Sequence, residues 1–97
     1  MSKAEKVVVE NVNHSGKTEN VDARKYKLAR EALLNVLPKT PPGMTQHEMA
    51  EKMRAALPMD VFPGTTTTWW MKTAQLDLEA KGLVVREVGK PLRWRRA

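Results

Sequence analysis

Two groups of side chains in this sequence have the chemistry of a surface that binds a polyanion. Arg86, Lys90, Arg93, Arg95 and Arg96 crowd five cations into the C-terminal stretch "REVGKPLRWRRA". Arginine and lysine at such density contact phosphate, and arginine also reaches into a narrow duplex groove. A solubilising, frayed terminus has the same composition, and the residues alone weigh the two evenly. Thr68, Lys72, Gln75 and Glu79 form the second group, spaced 4, 3 and 4, which places them on one face of a helix. Lysine there can meet guanine or phosphate, and glutamine can pair with adenine. An ordinary solvated face looks alike, and Glu79 repels phosphate.

Catalytic chemistry finds little support. His14 and His47 are isolated, and His47-Glu48 lacks the return histidine of a metal motif. Ser15-Gly16-Lys17-Thr18 carries the letters of a phosphate loop, but position 11, where that loop has glycine, is Asn. There is no cysteine, which excludes disulfides and thiolate metal sites. No nucleophile, base and orienter can be assembled. The chain is expected to be no enzyme and to need no cofactor.

Trp69 and Trp70 stand side by side in a chain with few aromatics. Neighbouring helical residues point about 100° apart, so one stripe cannot hold both. Met71, Ala74 and Leu78, with Trp70 beside them, make one seam. Trp69, Thr73, Leu76 and Ala80 make another. The pair therefore reads as core, in a helix covered on two sides, with one ring also able to serve a surface by stacking on a base or filling a partner's groove.

These residues need a scaffold. The 97 residues suffice for one domain with a modest core. Net charge is +6, with the excess in residues 22–57 and 83–97, which suits a polyanion partner. No apolar run nears the roughly 18 residues of a membrane span. The start lacks the apolar stretch of a secretion signal, so a cytoplasmic location is expected.

Residues 1–21 read as an N-terminal arm or short strand, from the valine run Val7-Val8-Val9, with a turn at Asn13–Lys17. Residues 22–97 read as the main domain. Asp22 is placed to cap a first helix whose Tyr26, Ala29, Leu33, Val36 and Leu37 share a face, and Pro38 stops it. Arg24, Lys25, Lys27 and Arg30 fall mostly off that stripe, as a solvated side does. Thr45 and Glu48 make a capping box for a second helix carrying Met49, Ala50, Met53, Ala56 and Leu57. Pro58–Gly64 is a connector from which Phe62 and Val61 tuck onto the core. A third helix starts at Thr65, Thr66 or Thr67, each able to cap, and runs to about Lys81 before Gly82. Leu83–Val88 and Leu92–Arg96 read as paired strands around a Gly89-Lys90-Pro91 turn.

The stretch "LDLEAKGLVVREVGKPLRWRR", Leu76 to Arg96, resembles the end of a winged-helix domain, with Leu78, Gly82, Leu83 and Val84 fitting its helix-to-strand pattern. That resemblance implies an α+β, mainly α fold, with Thr45–Leu57 and Thr66–Lys81 as helix-turn-helix and a C-terminal two-stranded wing. The motifs "ENVN", "LP", "FPG", "WW.KT.QLDLEAKG" and "KPLRW" are similar, from about Lys6 onward, to those of a small bacterial family, and that likeness implies no activity.

The leading expectation is a transcription-factor-like module that binds double-stranded DNA, with phosphate contacts from Arg86, Lys90, Arg93, Arg95 and Arg96 and base contacts from Lys72 and Gln75, beside Thr68. The competing expectation is a winged-helix module for a protein partner or homodimer. A neutral third helix, the tryptophan pair and a connector longer than the usual 3–4 residue turn, roughly, support it.

Overall fold

A computed structural model of the chain describes residues 6–11, 13, 18–64 and 66–97. The expected turn at Asn13–Lys17, His14, the Gly-Lys-Thr letters and the candidate cap Thr65 fall wholly or largely outside the described residues. The fold is α+β, with three helices and two small antiparallel sheets.

Helix α1 (Ala23–Val36) begins where the Asp22 carboxylate accepts from the Lys25 amide at 2.9 Å. This is the expected cap, and it satisfies one orphan donor of the first turn. Tyr26, Ala29, Leu33 and Leu37 form its buried face. In α2 (Gln46–Ala56) both halves of the capping box are made: the Glu48 amide donates to Thr45 Oγ1 at 3.2 Å, and the Thr45 amide to Glu48 Oε1 at 2.9 Å. The backbone amide of Thr45, then its hydroxyl, hold the Glu48 carboxyl below its ordinary pKa.

Helix α3 (Thr66–Ala80) runs through the middle of the fold and packs on α1 and α2. At its start the Thr66 hydroxyl donates to the Pro63 carbonyl at 2.7 Å. At its end Gly82 takes φ +76°, the Gly82 amide donates to the Glu79 carbonyl at 3.1 Å, and the Leu83 amide to the Leu78 carbonyl at 2.9 Å. That pair of bonds is a Schellman stop, which needs a left-handed residue. Thr67, Trp70, Met71, Ala74 and Leu78 line its buried side. The long connector is pinned as expected by Phe62, which is fully buried and meets Trp70 edge to face at 6.1 Å.

Two strands are absent from the sequence-based reading. The arm is a hairpin: β1 (Lys6–Glu10) pairs antiparallel with β2 (Thr18–Asp22), Val7 opposite Val21. Its Val9 and Val21 belong to the same core as the helices, so the hairpin packs in cis on α1 and α3. Near the other end of the chain, β4 (Val84–Glu87) pairs with β5 (Arg93–Arg96) as expected. A short β3 (Met44–Thr45), just before α2, adds to the far side of β5, giving the order β3–β5–β4. Gly43, at φ +87°, lets the chain pass there, because a Cβ on it would collide with the Trp94 carbonyl.

Candidate interaction surface

The positions expected to face a duplex are placed as follows. Lys72 is exposed on α3 and Thr68 is half-buried beside it. Gln75 is a correction. Expected on a solvated face, it is 2% exposed, with no hydrogen-bond partner for Oε1. The polar 4–3–4 pattern misleads here because α3 is covered on more than the two sides that apolar residues mark. Glu79 is not solvated either. Its side chain is 4% exposed and accepts both Arg86 bonds, Nε at 3.0 Å and Nη2 at 2.7 Å, together with the Trp94 indole N–H. The Arg86 guanidinium also lies over the Trp94 ring, 5.6 Å from its centroid. A two-pronged arginine–carboxylate pair with a cation–π contact fixes the C-terminal hairpin on α3.

The other arginines of this hairpin are engaged within the chain too. Arg93 Nη1 donates to the Gly43 carbonyl at 3.2 Å and faces Glu48 at 3.4 Å. Arg95 Nε bonds Glu87 across the β4–β5 pair. Arg96 Nε donates to the Leu37 carbonyl at 2.8 Å, and its amide to the Pro38 carbonyl at 2.8 Å. The terminus is thus stitched onto the ends of α1 and the loop before α2. Lys90, at the turn, is exposed and belongs to none of the ion pairs among the described residues.

Asp77 is the residue that charge counting passes over. It is 0% exposed, and its carboxylate accepts from the Tyr26 hydroxyl, from the Glu10 backbone amide at 2.8 Å and from Lys81 Nζ at 2.8 Å. A buried carboxylate needs such donors, and here they come from α1, β1 and the residue that follows α3. Burial first, and then the bond to Asp77, push the Tyr26 phenol well above its ordinary pKa. The sequence did carry a sign of this: Asp77 lies three residues beyond Ala74 and seven beyond Trp70, on a buried stripe.

Besides Thr66 and Lys72, α3 leaves a largely apolar stripe open. Trp70 is buried, whereas Trp69 is 48% exposed and rests edge to face on it at 4.9 Å. Thr73 and Leu76 are half-buried and Ala80 is exposed, so the second expected seam is only partly covered. The N-terminal hairpin stands off from this stripe at one end. Between them lies a groove of about 410 Å³ with Val9, Glu10 and Glu19 on the hairpin wall and Thr73 and Leu76 on the helix wall. Among the described residues no group of side chains could hold a metal ion, and no helix is long and apolar enough to cross a membrane.

Comparison with curated proteins and with solved structures finds no match. The family comparison does find one, over residues 6–94, a span that takes in strands β1 to β4, the first half of β5, the buried Asp77 and the exposed stripe. The chain therefore belongs to the family of unknown function DUF6958.

Proposed function

We propose that this chain is a winged-helix interaction module that docks a protein partner on the outward stripe of α3. The winged-helix part is supported by the succession α1, β3, α2, α3, β4, β5, with β5 between β3 and β4 in one antiparallel sheet. In that reading β4–β5 is the wing, α2 and α3 are the helix pair, and β1–β2 is an addition. The docking part is carried by one observation: Trp69, Thr73 and Leu76, at i, i+4 and i+7, form an open stripe beside the hairpin groove. A half-exposed tryptophan on a rigid helix is the type of anchor that dominates protein interfaces. The groups that would grip a duplex favour the same reading, since Gln75 is buried and Arg86, Arg93, Arg95 and Arg96 bond within the chain.

A photo-crosslinking residue placed at Lys72, in living cells, tests this. A discrete protein adduct is expected, identified by mass spectrometry, lost with Trp69→Ala and absent when the crosslinker sits at Lys52 on α2. Adducts equally strong from both positions, or none, overturn the reading.

Duplex DNA as the partner is the second reading. It is favoured by the net charge of +6 and by exposed Arg24, Lys27, Lys72 and Lys90, which take no part in the ion pairs among the described residues. Fluorescence anisotropy of a labelled random duplex across salt decides it. Binding that weakens steeply with salt, and falls further with Lys72→Ala and Lys90→Ala, supports DNA. A flat titration at low salt eliminates it.

A further inference from the structure

We infer that the groove between the N-terminal hairpin and α3 receives a cationic, amphipathic segment of the partner, with an apolar anchor against Leu76 and lysine or arginine opposite Glu10 and Glu19. This rests on the outward stripe of α3 being the docking surface. The charge on the groove walls carries it. Among the described lining residues the charged groups are two carboxylates, Glu10 and Glu19, on a chain whose net charge is +6. Both are exposed, and neither belongs to an ion pair among the described residues. A negative patch on a positive molecule selects the sign of what approaches it: a cationic segment is repelled elsewhere and drawn here, while an anionic one is turned away.

The remaining features fit the same occupant. The Glu10 amide is held by Asp77, which anchors the wall, while its side chain stays in solvent. The groove, at about 410 Å³, has room for a few side chains. Trp69 extends the apolar stripe one turn beyond Thr73, which suits a segment lying along the helix.

Three fluorescein-labelled amphipathic helical peptides test the inference. They share leucines at helical spacing and carry lysine, glutamate or glutamine at every other position. Anisotropy measures affinity, and 15N chemical-shift changes locate binding. The lysine peptide is expected to bind roughly tenfold or more tighter than the glutamate peptide, shifting Val9, Thr73 and Leu76. Glu10→Lys combined with Glu19→Lys should reverse that order. Both side chains are exposed and the Asp77 bond uses only the backbone, so the fold is kept. If all three peptides bind alike and Trp69→Ala abolishes binding, the docking surface stands and its preference for cations falls. If none binds, or the shifts lie elsewhere, both fall.

Discussion

The two hairpins of this molecule are held by acids two residues apart on the same helix, yet they present opposite characters to solvent. The C-terminal hairpin contains five cations, and four of them are bonded within the chain, foremost Arg86 to Glu79. The N-terminal hairpin is fastened through a backbone amide to Asp77, which leaves the side chains of Glu10 and Glu19 outward. The hairpin richer in charge is thus the less available one. Formal charge says how a surface is composed, and only the partner of each group says what it can grip.

The largest test of this contrast removes one acid at a time. Asp77→Ala leaves a buried phenol and a backbone amide without an acceptor and should destabilise by about 4 kcal/mol. Glu79→Ala strips Arg86 and the Trp94 indole of their acceptor and should cost about 3 kcal/mol. Denaturant unfolding gives both numbers. Amide exchange should show faster opening of Val7, Val9 and Val21 in the first variant, and of Val84 to Glu87 in the second. Equal loosening of both hairpins by either change removes the division of labour.

A smaller effect separates the arginines. Arg86→Ala leaves Glu79 poorly compensated and should cost about 2 kcal/mol. Arg95→Ala opens a half-exposed pair with Glu87 and should cost less than about 1 kcal/mol. Similar losses at both sites would mean that Arg86 acts as an ordinary surface cation.

The subtlest test is alkaline. The Tyr26 phenol is raised in the folded chain, chiefly by burial and then by the Asp77 bond. Above a pH of about 10 the unfolded phenol releases its proton while the folded one retains it, so the unfolded state binds fewer protons. Stability therefore declines as pH climbs past that value. Tyr26→Phe should flatten the decline relative to the parent chain, read as thermal midpoints across the alkaline range. Parallel slopes would show that Tyr26 is not held neutral.

Much of the scaffold was legible because its signals are local. Asp22, the Thr45 and Glu48 pair and Gly82 mark helix ends by bonds to amides or carbonyls a few residues away. Phe62 stood out as the sole aromatic side chain in its connector. Strand β2 was hidden because "TENVD" has one buried apolar residue, Val21, and becomes a strand only by pairing with β1. Strand β3 is two residues long and exists through β5. The surface was less legible than the frame, for the same reason. Arg93 and Arg96 find carbonyls at Gly43 and Leu37, separations of 50 and 59 residues. No periodicity encodes such partners.

The bond from the Glu10 amide to Asp77 spans 67 residues, and this separation sets an order of events on the ribosome. Strand β1 has this acceptor only when α3 has been made. At about 5–20 residues per second, that is a wait of roughly 3–13 s. Through that interval the Val7-Val8-Val9 run is without the helix it will pack on. Such a β-prone segment invites pairing with other chains. The nascent chain should thus be more vulnerable to aggregation, and more in need of chaperone cover, along β1 than along the strongly charged β4–β5 hairpin.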